Sequence, residues 1–232
     1  MSNTFRQYQS RKTFRSRVIY DPKYACCELD NLFSDPDLSL NDPDTEILKD
    51  GDTSTVWRTT TGEHKLVVKR YNIKGGWQGL KRLVRYSNAE NSWRNAHILK
   101  TCGIGTPCPV ALVEKRIGPL KRQTYFISEY VEAINCSSFF KEPHQHKIPL
   151  FPVAQNIIEL FSLLKKYKIS HGDMKGTNIL ISDNKPILTD LDYMRQFRSQ
   201  SLFKYRHSRD KKRFIRVWQN DPAVTKLFTS LL

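Results

Sequence analysis

The chain has 232 residues, of which 39% are hydrophobic and 26% charged, a balance that suits one large or two compact globular domains and excludes wholesale disorder. Its net charge of +15 points to anionic partners: nucleic acid, anionic lipid, phosphorylated substrate or nucleotide. No apolar run nears the ~18 residues of a membrane span. The Arg-rich start (Arg6, Arg11, Arg15, Arg17) lacks the apolar stretch of a secretory signal, and five cysteines without a C-x-x-C pair suit reduced thiols better than a disulfide framework or zinc site.

The charge is unevenly spread. Nine acids and a single base, Lys49, lie between Glu28 and Asp52, which leaves 37 Lys and Arg against 14 Asp and Glu elsewhere. Residues 1–44 are polar and irregular, with Asp and Pro clustered from Asp35 to Asp44, and read as a partly mobile extension. From Thr45 the texture changes. Glu46 to Lys49, Thr55 to Thr60 and Lys65 to Tyr71 predict three short strands, with Thr61-Gly62-Glu63 turning between the last two. Helical spacing over Trp77 to Thr101 places Leu83, Tyr86, Glu90, Trp93 and His97 on one face, and Gly103, Gly105, Pro107 and Pro109 end it.

Strands are expected at Val110 to Lys115 and Thr124 to Val131. A helix follows from Phe151 to Tyr167, with Val153, Ile157, Leu160, Phe161 and Leu164 as its buried stripe. Next comes a loop, His171 to Thr177, then two strand-like runs, Asn178 to Ser182 and Pro186 to Asp190. The end is helical, with Phe214, Ile215 and Trp218 on one face and Asp221-Pro222 opening a last short helix. Strands with one helix come first, and mostly helices around a loop-bearing hairpin come after. This order describes a two-lobed α+β domain with a cleft between the lobes.

The chemistry concentrates in His171-Gly172-Asp173-Met174-Lys175-Gly176-Thr177-Asn178, with Asp190 twelve residues further on. This matches H-x-D-x-K-x-x-N followed by a metal-binding Asp, the pattern of phosphoryl-transfer catalytic loops. Phosphoryl transfer asks the protein for positioning and for neutralisation of phosphate charge. Asp173 is the candidate for receiving the proton of an attacking hydroxyl, and Lys175, two residues on, points the same way in an extended loop and can reach the γ-phosphate. Asn178 and Asp190, on adjacent strands, supply the hard oxygen ligands that Mg²⁺ prefers. Asp190-Leu191-Asp192 by itself also resembles the D-x-D of glycosyltransferases, a rival that the upstream His171 to Asn178 segment disfavours.

These residues, Asp190-Leu191-Asp192 standing where D-F-G is usual, and the short charged C-terminus resemble the bacterial lipopolysaccharide core kinases. That family comprises the Kdo and heptose kinases of the protein-kinase-like superfamily. The resemblance covers about residues 45–220 and implies a two-lobed protein-kinase-like fold: a small, mainly β N-lobe over 45–131 and a reduced helical C-lobe over 132–232. It further implies ATP and Mg²⁺ as cofactors and a sugar hydroxyl of the lipopolysaccharide inner core as acceptor. Lys69, closing the run Leu66-Val67-Val68, becomes the candidate phosphate-binding lysine. Glu90, the only acid between Glu63 and Glu114, becomes its candidate partner, against the plainer reading of a solvated glutamate on a basic helix. Glu129 and Val131, in Phe126 to Val131, are candidate adenine-binding hinge residues, with an ordinary buried strand as the equal alternative.

The glycine-rich loop of such kinases is degenerate here, reduced to Asp50-Gly51-Asp52-Thr53-Ser54-Thr55. Only 42 residues follow Asp190, which favours a small or lipid-linked acceptor over a protein. Basic residues crowd Phe197 to Arg216, with Phe203, Tyr205, Phe214 and Trp218 among them, and the mixture suits an anionic glycolipid at a membrane face. The same mixture suits nucleic acid, which is not the expected partner, and a solvated helix face is the competing reading. The expected location is cytoplasmic, peripheral on the inner face of the inner membrane. Two alternative functions stand beside this one: a kinase acting on protein Ser/Thr or a small molecule, and a catalytically silent kinase-like binding protein.

Overall fold

A computed structural model describes residues 8–72, 87–118, 120–142 and 148–229. The chain divides into two compact units, Met1–Arg94 with Cys108–Tyr130, and Asn95–Pro107 with Val131–Leu232.

The first unit is built on β1 (Gln9–Lys12), β2 (Ser16–Tyr20), α1 (Cys27–Ser34), β3 (Glu46–Asp50), β4 (Ser54–Thr61), β5 (His64–Tyr71), the first turns of α2 (Asn88–Thr101), β6 (Pro109–Ile117) and β7 (Leu120–Glu129). Its seven strands form one antiparallel sheet in the order β1-β2-β6-β7-β5-β4-β3. Strand alternation sends successive side chains to opposite faces. Leu66, Val68, Ala111, Val113 and Ile127 pack with Trp57 and with Leu29, Leu32 and Phe33 of α1. Ile19, Tyr71 and Leu112, on the other face, pack against Ala89 and Trp93 of α2. Gly62 turns β4 into β5 with φ 59°, and a Cβ there would strike the Glu28 carboxylate.

Three strands were expected between Glu46 and Tyr71, and three are present. The expected helix from Trp77 is observed from Asn88; its earlier part, with Leu83 and Tyr86, lies outside the described residues. The strand expected to end at Val131 instead runs from Leu120 to Glu129.

The largest departure from expectation is the N-terminal extension. Residues 9–41 supply two strands of the sheet, α1 and a 3-10 turn, Pro36–Asn41. Their polarity is misleading because the acids are used as partners. Asp35 pairs with Lys115 at 2.9 Å and Asp37 with Arg70 at 3.1 Å, while the Tyr125 hydroxyl donates to Asp37 at 2.7 Å. Ser39 Oγ accepts from the buried Trp57 indole at 2.9 Å. The acidic stretch therefore folds back onto the basic sheet, and its few apolar residues complete one core layer.

The second unit holds β8 (Ile134–Asn135), α3 (Cys136–Lys141), α4 (Leu150–Lys166), β9 (Ile169–Ser170), β10 (Ile179–Ser182), β11 (Lys185–Leu188), β12 (Arg195–Gln196), α5 (Gln200–Arg216) and α6 (Pro222–Leu227). The β10–β11 hairpin turns through Asp183 and Asn184, both with positive φ as a tight two-residue turn requires. Val153, Ile157, Leu160, Phe161 and Leu164 are all buried, as their spacing predicts. The core is aromatic: Phe161, Trp218 and Phe228 pack around Phe214, with ring centroids 4.9 Å apart for Phe214–Phe228 and 5.3 Å for Phe161–Phe214, and Phe140 packs against Trp218 and Phe228. Helices α3, α5 and α6 start where capping residues stand, at Asn135, Ser199 and Asp221. Among the described residues no helix is long and apolar enough to cross a membrane.

Candidate active site

In the second unit, β9 delivers the chain into the loop His171 to Lys175, and a 3-10 turn, Gly176–Asn178, returns it to β10. This loop is held from beneath by one carboxylate. Asp210 of α5, 4% exposed, accepts from Ser170 Oγ at 2.7 Å, His171 N at 2.8 Å and Gly172 N at 3.1 Å. A carboxylate receiving three donors satisfies the buried His171 N–H and Ser170 hydroxyl, which would otherwise lose their hydration unreplaced. His171 is fully buried, and its Nε2 lies 2.9 Å from the Thr189 carbonyl, tying the loop to the end of the hairpin. Gly172 has φ 84°, and a Cβ on it would stand 2.7 Å from the Tyr193 carbonyl oxygen. Only glycine fits both conditions.

Three side chains converge on Asp173. Asn178 Nδ2 donates to its backbone carbonyl at 2.9 Å and to Oδ2 at 3.2 Å, and Lys175 Nζ lies 3.2 Å from the same oxygen. Arg213 of α5 donates through Nη1 to Oδ1. A carboxylate has about four lone-pair directions. With two donors on Oδ2 and one on Oδ1, one direction of Oδ1 remains for an incoming hydroxyl. The expected juxtaposition of Asp173, Lys175 and Asn178 is present in this loop.

Asn178 spends its amide nitrogen on Asp173, which leaves Oδ1 as an acceptor for a cation. Its backbone carbonyl receives Thr189 N at 3.0 Å, so position 190 follows directly across the hairpin. Asp190 itself sits in the left-handed region, φ 59° and ψ 54°, which ends the strand at Leu188 rather than at Asp190 as expected. This conformation is uncommon for a residue with a Cβ and marks a position over-determined by its surroundings. The surroundings are visible: Asn95 Nδ2, buried, donates to Leu191 O at 2.7 Å and Met194 O at 3.0 Å, fixing the turn after Asp190. One amide and one carboxylate oxygen match the sparse, hard donor set that Mg²⁺ takes from a protein. Among the described residues no group of three or more His, Cys, Asp or Glu side chains could hold a metal ion.

The remaining predicted residues belong to the first unit, apart from Val131, with which the second unit resumes. Lys69 lies on β5 opposite Phe126 and on the same strand face as Tyr71, with Nζ 4.9 Å from the Tyr71 ring. Tyr71 in turn shares a 3.0 Å hydrogen bond with Ser92 of α2, so this is the face that α2 covers. Glu90 is not a solvated glutamate. It meets Lys121 at 3.5 Å and Arg17 at 3.8 Å beside the fully buried Glu114. Burial would raise the Glu114 carboxyl, but Lys121, Arg116 and Arg17 together hold it below its ordinary value. At the end of β7, Glu129 donates its backbone N–H to Cys108 O at 2.9 Å, and its side chain accepts from the Tyr24 hydroxyl at 2.5 Å. Burial, and then the bond to Glu129, push the Tyr24 phenol well above its usual range. In the degenerate glycine loop, Asn72 Nδ2 donates to Gly51 O at 2.9 Å and Asp50 accepts from Thr55 Oγ1 at 3.1 Å.

Sequence inspection missed Asn95, Asp210 and the contact made by Arg213. The one signal for Asp210 was compositional: it is the only acid in a helix crowded with Lys and Arg.

No family model and no curated protein matches the chain. Among solved structures, WaaP in complex with acyl carrier protein superposes over 88% of this chain and 93% of that one, with a TM-score of 0.55 and 14% sequence identity. At that identity the likeness concerns the fold: the chain has a mixed α+β architecture resembling the kinase-like fold of WaaP.

Proposed function

We propose that this protein is an ATP-dependent phosphotransferase with an alcohol as acceptor, and that the acceptor is a sugar hydroxyl of the lipopolysaccharide inner core. The observation that carries this reading is the convergence of Lys175, Asn178 and Arg213 on Asp173 in a loop anchored by Asp210. The kinase-like fold supports the reaction class, and the resemblance of the His171 to Asp192 motifs to lipopolysaccharide core kinases supports the acceptor.

Asp173 receives the acceptor hydroxyl on the open direction of Oδ1 and takes its proton as the new O–P bond forms and the bond between the γ-phosphorus and the departing ADP oxygen breaks. Lys175, with Nζ 3.2 Å from Asp173 Oδ2, meets the γ-phosphate, and Lys69 serves the nucleotide phosphates with Glu90 as its acidic partner. Asn178 Oδ1 and the Asp190 carboxylate hold Mg²⁺, which when bound neutralises charge on the transferring phosphoryl oxygens. Glu129 and Val131 are the backbone positions for adenine. The net charge of +15 suits a protein that meets anionic glycolipid at the cytoplasmic face of a membrane without spanning it.

The test is phosphate transfer from labelled ATP, with Mg²⁺, to purified lipopolysaccharide inner core, run beside Asp173→Ala. Label entering the glycolipid with the wild type and at least ~10³-fold less with the variant is expected, since one positioned proton acceptor and its charge are removed. Turnover within a few-fold of wild type in a folded Asp173→Ala protein would sink the assignment.

A further inference from the structure

Helix α5 has two faces of opposite character. Phe203, His207, Asp210, Phe214 and Ile215 are buried. Arg206, Arg209, Arg213 and Arg216 recur at i, i+3, i+7 and i+10 and are all exposed, so they form one stripe, about 15 Å long at 1.5 Å per residue. Asp210 is the sole acid of the helix, and it is committed to the loop before Asp173. Among the described residues Arg206, Arg209 and Arg216 have no carboxylate within ion-pair distance, and Arg209 instead lies over the Tyr205 ring at 5.8 Å. Like charges at helical i, i+3 and i, i+4 spacing repel one another. The stripe therefore works against the isolated helix and is suited to an anionic ligand.

Arg213 connects that stripe to the reacting centre. A single nitrogen, Nη1, contacts both Asp173 Oδ1 and, at 3.5 Å, the Gly172 carbonyl. The side chain is 48% exposed, so the other edge of the planar guanidinium fork faces solvent. A guanidinium is built to grip a phosphate or carboxylate with two nitrogens. We propose that Arg213 is the acceptor-anchoring residue: it orients Asp173 with one nitrogen and binds an anionic group of the acceptor with the rest. Arg209, Arg206 and Arg216 take further anionic groups along the same chain. The acceptor is thus a polyanionic hydroxyl compound that bears a phosphate or carboxylate close to the hydroxyl to be phosphorylated. This rests on the phosphotransferase reading for the position of the hydroxyl, and goes beyond it in naming the group that selects the acceptor.

The experiment uses the full chain and two readouts: calorimetric binding of inner-core oligosaccharide without ATP, and steady-state transfer. Arg213→Gln should weaken binding and raise the acceptor KM at least ~10-fold with the ATP KM within about two-fold, the loss expected for one charge-assisted pair. Arg209→Gln should weaken binding about 3-fold, and Lys226→Gln on α6, off the stripe, should leave it unchanged. Oligosaccharide stripped of phosphate and oligosaccharide with reduced carboxyls distinguish the two sources of anion. Whichever treatment abolishes the difference between wild type and Arg213→Gln identifies the group. If Arg213→Gln lowers kcat while acceptor KM and binding stay as in wild type, Arg213 only orients Asp173 and the proposal is overturned. Should Arg213→Gln fail to fold, unchanged binding by Arg209→Gln overturns it equally. Binding that depends on Arg213 without transfer to any acceptor would sink the phosphotransferase reading and leave the anion site standing.

Discussion

The Asp210 carboxylate caps the backbone N–H groups of His171 and Gly172, at 2.8 and 3.1 Å, from a helix 38 residues further along the chain. The catalytic-loop candidate is thus shaped by a residue that touches none of its reactive side chains. Asp210→Ala should leave the buried His171 N–H and Ser170 hydroxyl unpartnered, at a cost of about 2–4 kcal/mol. We expect a lower urea midpoint together with a loss of transfer of at least ~10²-fold. Unchanged activity at full stability would mean that the loop holds its own shape.

Gly172 is the second point of control. Alanine there meets both φ 84° and the Tyr193 carbonyl 2.7 Å from the new methyl. Gly172→Ala is expected to destabilise the fold by about 1–3 kcal/mol and to displace Asp173. Thermal melting and transfer assays on the same preparation should both fall.

Asn95 offers a subtler test. Its amide bonds to Leu191 O and Met194 O at 2.7 and 3.0 Å hold the turn after Asp190. Asn95→Ala should cost about 1–2 kcal/mol and raise the Mg²⁺ concentration needed for half-maximal activity several-fold, because the Asp190 carboxylate loses its fixed aim. A Mg²⁺ titration of wild type and variant decides this. Identical curves would detach Asn95 from the proposed Mg²⁺ site.

The buried Glu114 predicts the acid limb of stability. Its native carboxyl titrates below the unfolded one, because Lys121, Arg116 and Arg17 outweigh its burial. The stabilisation is therefore complete above the unfolded value of about 4.3 and is lost as pH falls through the lower native value. Urea midpoints should drop below pH ~4.3 in the wild type. In Glu114→Gln the unfolding free energy at neutral pH should be lower by about 3 kcal/mol, for three cations deprived of their shared anion, and the midpoints flatter toward acid. His207 acts in the same direction over a higher window: burial lowers its imidazole, so stability present above about pH 6.5 declines as pH falls through the native value.

Local patterns determined much of this protein. The period-2 runs from Glu46 to Tyr71, the apolar stripe of Phe151 to Tyr167, and the tight spacing of Asp173, Lys175 and Asn178 all depend on neighbours a few residues apart, so they are legible in one dimension. Tertiary structure alone decided the rest. The stretch from Gln9 to Asn41 looked like a polar tail because its acids find their partners, Lys115, Arg70 and Tyr125, tens of residues away. Glu90 read from the sequence as the partner of Lys69, and its contacts with Arg17 and Lys121, from two distant strands, were decided only by the fold. Asn95 and Arg213 carry no local signature, and Asp210 only that of a lone acid in a basic helix. Each acts through a hydrogen bond or ion pair to a segment at least 38 positions away in the chain, and only folding brings such groups within the ~3 Å over which a hydrogen bond operates.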